Sequence, residues 1–246
     1  MDDGTTPKLR WRVARVVDST PETESARTIA LAVPGWGGHL AGQHIDLKLT
    51  AEDGYSAQRS YSLSKPADGQ YIELTVQQIT DGEVSPYLLG MRPGEEIELR
   101  GPIGGWFVWR PAEEARILLV AGGSGIVPLM AMLRQRIVMG STEFRLVYSV
   151  RSPADVYYAQ ELTQLQRDCD WLQVAVIYTR AAAPQTARPP GRVRTGDLAV
   201  SGWTPDDSLR VYVCGPTGFV ESVTTKLIGQ GHRPSAIRTE RFGPSG

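Results

Sequence analysis

Two different patterns of apolar and polar positions divide this chain. In the first, short runs alternate with a period of two: "WRVARVVDS", "RTIALAV", "HIDLKL", "RSYSLS", "YIELTVQQI" and "EEIELR". That period marks strands with one buried face. "PGWGG", "EDG", "ADG", "RPGEE" and "GPIGG" separate the runs with turn-forming residues. Six such strands predict an antiparallel six-stranded β-barrel or a sandwich. "SPYLLGM" is the one short helix expected among them.

From about residue 111 the pattern changes. "RILLVA" is a continuous apolar strand, followed at helical spacing by "IVPLMAMLRQRI". Strand "FRLVYSV", helix "YYAQELTQLQRD", strands "WLQVAVIYT" and "RVYVCG", helix "GFVESVTTKLIGQ" and a last strand "SAIRTER" complete it. Strands that alternate with helices predict an α/β doubly wound parallel sheet. "RAAAPQTARPPGRVR" has no period and reads as a loop. The expected boundary lies near "WRPAEEAR", residues 109–116, giving domains 8–110 and 111–246.

The second half carries a nucleotide signal. "RILLVA" runs into "GGSG" and then a helix, a turn where glycines let backbone approach a phosphate at the helix N-terminus. The spacing is not the standard dinucleotide fingerprint, because Pro128 stands at the third glycine position. A tight turn without ligand is the competing reading. At the end of the next strand, Ser149, Arg151 and Ser152 stand where an NAD site has an acidic residue. Arginine and serine suit a 2′-phosphate, and Arg180 closes the following strand, so NADP is favoured over NAD. "VCGPTGF" ends a later strand and is expected on the same sheet edge.

Composition narrows the classes. The net charge of −1, with no basic run, gives no electrostatic reason for nucleic-acid or membrane-surface binding. Two cysteines, Cys169 and Cys214, are too few for an iron–sulfur cluster or a structural zinc site, and no metal is expected. The uncharged run 117–133 is broken by Gly122, Gly123, Gly125 and Pro128, and falls short of the roughly 20 residues a spanning helix needs. The polar start has no signal-peptide character, so a cytoplasmic location is expected.

Taken in order, "RSYSLS", "DGEVSPYL", "GPIGGWF", "AGGSGIVP", "VYVCGPTGF" and "TERFG" resemble the ferredoxin–NADP reductase superfamily of flavoenzymes, over residues 8 to 243. The resemblance implies an FAD-binding barrel followed by an NAD(P)-binding domain. It implies that Arg59, Ser60, Tyr61 and Ser62 hold FAD: Arg59 at the pyrophosphate, Tyr61 against the flavin or its ribityl chain, Ser62 facing N5. Gly82, Val84 and Ser85 match the second FAD loop, with Ser85 expected to open the short helix. Gly123, Ser124 and Gly125 are implied to contact the nicotinamide nucleotide, and Cys214, Gly215 and Pro216 to lie near its ring. Glu240 and Phe242 match the C-terminal segment that approaches the flavin, Glu240 to orient the nicotinamide or relay a proton and Phe242 to cover the ring. Ser62, Cys214, Glu240 and Phe242 are thus the candidate catalytic set. Two positions depart from the pattern: Ser124 replaces a common threonine, and Gln77 stands where many relatives have a basic residue.

The implied activity is hydride transfer from NADPH or NADH to FAD, then single electrons to a separate acceptor: a ferredoxin, an oxygenase component or a small molecule. The alternative is a flavin-binding electron-transfer or regulatory subunit of a larger complex, and a third reading is a nucleotide-binding module without FAD. Trp36, Trp106 and Trp109 form a candidate aromatic docking patch, with core packing as the competing role.

Overall fold

The computed structural model describes residues 9–113, 115–183, 186 and 188–243. Its first lobe is an antiparallel sheet of β1 (Arg12–Thr23), β2 (Ala26–Ala32), β3 (His44–Thr50), β4 (Ser56–Ser62), β5 (Tyr71–Gln77) and β6 (Glu96–Ile103). The strand order is β4-β3-β6-β1-β2-β5. A bridge between Leu63 and Leu74 joins the two outer strands, so the sheet curls into a barrel. Ile29, Leu31, Ile45, Leu47, Leu63, Leu74 and Leu99 fill its interior, each at most 1% exposed. These are the apolar members of the alternating runs. The expected turn "GPIGG" differs in part, because β6 continues to Ile103 by pairing with His44. Helix α1 (Val84–Gly90) packs against β4 and β5.

The second lobe is a parallel sheet of β7 (Arg116–Gly122), β8 (Phe144–Val150), β9 (Leu172–Tyr178), β10 (Leu209–Pro216) and β11 (Ile237–Phe242). Its order is β11-β10-β7-β8-β9. Helices α2 (Ile126–Val138) and α3 (Ala159–Asp168) are followed by a short α4 (Thr195–Leu198), which the sequence pattern did not indicate, and by α5 (Thr217–Gly229). Along β7, Ile117, Leu119 and Ala121 enter one core with α2 and α3, while Leu118 and Val120 enter another with α5. Burial on both faces is why this strand reads as an unbroken apolar run. Among the described residues no helix is long and apolar enough to cross a membrane.

Helix α3 starts later than its sequence suggests. Tyr158 adopts a left-handed conformation (φ 56°) and caps the helix instead of joining it. The reason is tertiary: Tyr157 and Tyr158 are both buried, and the Tyr158 N–H donates to Glu22 of the first lobe at 2.9 Å. The Tyr158 hydroxyl bonds Thr75 on β5.

Arg134, near the end of α2, fastens the lobes together. It donates to Glu161 of its own lobe at 2.9 and 2.6 Å, and to Glu73 at 2.5 Å and the Ser64 carbonyl at 2.9 Å in the barrel. Its guanidinium also lies 4.9 Å from the centre of the Tyr158 ring. Elsewhere on the seam, Tyr212 and Arg238 donate to the Val108 carbonyl at 3.0 and 2.6 Å. Phe107 and Trp109, from the segment after β6, sink into the core of the second lobe.

Arg134→Leu should lower the unfolding free energy by about 2 kcal/mol or more, since it leaves two half-buried carboxylates unpaired. Changing Glu73 and Glu161 to leucine in the same chain should recover most of that loss. Urea denaturation of the single and triple variants measures both effects.

Candidate active site

Strand β4 splits its candidate residues between two faces. Arg59 and Tyr61 lie opposite Leu47 and Ile45 of β3, whereas Ser60 and Ser62 lie opposite Asp46 and His44. Opposed residues in an antiparallel pair share a face. Tyr61 packs on the barrel core and its phenol pKa is pushed up to about 12, chiefly by burial, with Arg59 pulling the other way. The exposed Arg59 gives one N–H to the Gln58 carbonyl at 2.7 Å. The rest of its donor fork is open to an anion. Ser60 is already engaged: its hydroxyl donates to Asp46 at 2.6 Å, and Asp46 pairs with Arg100 at 2.9 Å. Ser62 is buried beside His44.

The loop after β5 is tied to itself. Gly82 N–H donates to the Ile79 carbonyl at 3.0 Å, and Ile79 N–H donates to the Ser85 hydroxyl at 2.9 Å. Ser85 therefore does not open the helix as expected. Helix α1 begins at Val84, its cap residue Glu83 makes no side-chain capping bond, and Ser85 braces the loop instead. Val84 points into the barrel core.

At the carboxyl ends of β7, β8 and β10 the second lobe opens a cleft of about 240 Å³. Gly122, Gly123, Ser124, Pro216 and Phe219 line one side, and Ser149, Val150, Arg151, Asp155, Tyr157 and Thr179 another. Ser25 and Gln77 of the barrel complete the wall. The sheet order reverses between β7 and β10, where open α/β sheets bind ligands. Glycines bring these strand ends together. A Cβ on Gly125 would stand 2.1 Å from the Cys214 carbonyl oxygen, and one on Gly122 would stand 2.7 Å from the Phe219 ring. Gly125 and Gly215 thus lie behind the cleft, not along its wall. Arg180 is exposed and outside the lining, its N–H bonded to the Arg151 carbonyl at 2.9 Å.

Ser25, Asp155, Tyr157, Thr179 and Phe219 were not singled out in the sequence. Nothing in their local pattern marks them: Asp155, Tyr157, Thr179 and Phe219 converge only when the parallel sheet forms, and Ser25 joins them only when the barrel packs against it. Of the three tryptophans proposed as a docking patch, Trp36 and Trp109 are buried, and Trp106 alone is exposed, at 63%.

Strand β11 brings the C-terminal candidates to the seam. Glu240 and Phe242 are in register with Cys214 and Pro216 of β10. Phe242 packs on the core of the second lobe. Cys214 is a free, fully buried thiol, pushed well above its usual pKa by burial and by Glu240. Glu240 faces the barrel, with Oε1 3.8 Å from Nδ1 of His44. Its Oε2 is buried and has no hydrogen-bond partner. Burial pushes the carboxyl up to about 7. A buried oxygen left unpartnered at a seam is what a site for a polar ligand group provides. Among the described residues, no cluster of metal-ligating side chains occurs.

Residues 14–108 match the oxidoreductase FAD-binding domain family, and residues 119–225 the oxidoreductase NAD-binding domain family. The chain belongs to the ferredoxin–NADP reductase-like family. A flavohemoprotein from Chromobacterium violaceum is 30% identical to this reductase-like chain over 249 residues, which cover 95% of the chain and 61% of that protein. The ferredoxin–NAD(P)(+) reductase component of a naphthalene 1,2-dioxygenase system from Pseudomonas putida is 29% identical over 210 residues, 83% of the chain and 61% of that protein. The solved FAD/NAD-binding domain of a nitric oxide dioxygenase from Vibrio cholerae O1 biovar El Tor superposes with a TM-score of 0.83 at 25% identity, covering 95% of this chain and 99% of that one. The chain spans about three fifths of the length of the curated relatives it matches.

The Glu240 carboxyl should make stability depend on pH. It is neutral in the folded state up to about pH 7, against 4.5 for the ordinary group, so stability falls as pH rises through that window. Glu240→Gln should remove this slope and gain about 1–2 kcal/mol on the native protein at pH 8, with little difference at pH 4. Urea titrations of both proteins from pH 4 to 8 check this.

Proposed function

We propose that this chain accepts a hydride from NADPH or NADH on bound FAD and passes electrons singly to a separate acceptor. The observation that carries the reading is the seam itself. Glu240 at the end of the parallel sheet lies 3.8 Å from His44, the strand partner of Ser62 in the barrel. A nucleotide held at the cleft and a flavin held along β4 would meet at that point.

The residues present fit FAD. Arg59 offers an open guanidinium to a pyrophosphate. Tyr61 supplies an aromatic face, and the self-braced loop from Ile79 to Ser85 offers backbone beside it. Bound FAD would supply the two-electron to one-electron conversion; the protein supplies orientation, charge and exclusion of water. Ser62 provides a buried hydroxyl beside that seam, and Glu240 a partly exposed carboxyl whose buried, free Oε2 can hold a carboxamide. Phe242 at the end of β11 would cover the flavin ring until the nicotinamide displaces it, and Cys214 beside Glu240 would lie near that ring.

NADP is the favoured nucleotide because Ser149 and Arg151 line the cleft. Asp155, on the same wall and bonded by Ser152 at 2.6 Å, is the counterweight that keeps NAD in play. The acceptor is a ferredoxin, an oxygenase component or a small molecule, by likeness to the reductase component of the naphthalene dioxygenase system.

Stopped-flow reduction of the FAD-loaded protein by each nucleotide tests the reading. Reduction by neither would leave a flavin-binding or regulatory subunit as the better account. Arg151→Ala should weaken NADPH binding by about tenfold or more, equivalent to about 1.4 kcal/mol, and NADH binding by much less. Equal losses would remove the 2′-phosphate assignment.

A further inference from the structure

We infer that His44 is the positioning residue for Glu240, and that the two side chains hold one proton between them across the seam of the lobes. The functional consequence rests on the reading of that seam as the hydride-transfer site; the pairing itself does not.

The geometry is specific. His44 opens β3, where it pairs with Ser62 on one side and Ile103 on the other. Glu240 comes from β11 in the other lobe. Their facing atoms are 3.8 Å apart, just beyond hydrogen-bond length, so a small rotation of either side chain closes the contact. Gly104 flanks the ring: a Cβ there would only touch His44 Nδ1, at 3.5 Å, and it is the φ of 98° that favours glycine at this position.

Burial then selects the proton count. With two protons the pair carries a net positive charge, and with none a net negative charge. Both are penalised where water is excluded. With one proton the pair is neutral overall, as imidazole with carboxylic acid or as imidazolium with carboxylate. The other titratable or charged groups around it do not break the balance. Asp46, two residues along β3, favours the imidazolium but is itself bonded to Arg100 and Ser60. Cys214 stays a neutral thiol. Arg238, two residues before Glu240, is bound to the Val108 carbonyl and the Tyr212 hydroxyl. Burial lowers His44 and raises Glu240, which brings their affinities for the shared proton together.

Such a pair fixes what Glu240 presents. While His44 engages Oε1, the free Oε2 keeps one direction into the seam, and the shared proton lets it act as acceptor without a full buried charge. A carboxylate alone there would be held only by packing.

Nitrogen-15 NMR of the histidine rings tests the pairing without nucleotide. The chain has three histidines, and His39 is distinguished by its fixed contacts, Nδ1 accepting from Trp36 and Nε2 bonded to the Lys65 carbonyl. His44→Gln assigns the His44 signals. In the native protein the His44 ring signals should move a second time as Glu240 loses its proton near pH 7, and in Glu240→Gln that second step should vanish. A single His44 step, the same in both proteins, would overturn the proposal. In the FAD-loaded protein, His44→Phe should slow the limiting rate of flavin reduction by about tenfold or more while nucleotide affinity changes little. His44→Gln, which can hold the carboxyl but not titrate, should restore much of the rate and flatten its pH profile. Loss of nucleotide affinity in place of rate, or an unaltered profile in His44→Gln, would count against it. Coupled titration in a protein that no nucleotide reduces would leave the pair standing and remove the assigned function. Uncoupled titration in a protein that is reduced normally would do the reverse.

Discussion

Everything at the seam depends on one half-buried guanidinium. Arg134 reaches from α2 to a carboxylate and a backbone carbonyl in the barrel while a second carboxylate grips it from α3. Each oxygen it touches would be poorly solvated without it, so the cost of separating the lobes is paid in unpaired charge as well as in apolar area. Tyr158 under the guanidinium, and Glu22 behind Tyr158, extend the same fastening to β1. With Tyr212 and Arg238 on Val108, the lobes are held by directional contacts that fix their relative rotation. Apolar packing alone would tolerate sliding.

That fixed rotation gives the cleft its meaning. The ends of β7 and β10 approach so closely that only glycine fits at Gly122, Gly125 and Gly215, where added atoms would strike Phe219 or the Cys214 carbonyl. The same closeness clears the space in front of Gly123 and Ser124. Ser25 and Gln77 then enter the wall from the barrel because the lobes cannot turn away. A site built this way belongs to neither lobe separately.

The seam also sets the chemistry of its buried groups. Glu240, Cys214, Ser62 and His44 come from four strands in two sheets; Cys214 and Ser62 are buried, and Glu240 and His44 keep about a quarter of their side chains exposed. Burial moves the carboxyl and the thiol in the same direction, toward their neutral forms, and moves the imidazole likewise. Neutral, buried hydrogen-bonding groups suit a reaction in which charge passes through the site without remaining there.

Much of the architecture was legible in the sequence because it follows from local physics. A period of two needs one buried face, and an unbroken apolar strand needs two; those patterns gave the barrel, the parallel sheet and nearly every strand. The ordered motifs, from "RSYSLS" to "TERFG", gave the family and placed Glu240 among the candidates. What lay outside their reach was decided by contacts distant in the chain. Tyr158 leaves its helix because Glu22 and Thr75 take its polar groups. Ser85 braces a loop because Ile79 N–H lies within reach. Ser60 turns to Asp46, and Arg180 stays outside the cleft. His44 looks like any strand-opening polar residue until a strand almost two hundred residues later sets a carboxyl against it. Periodicity reports which way a side chain points from its own strand, and only the packing of two lobes determines what it meets there.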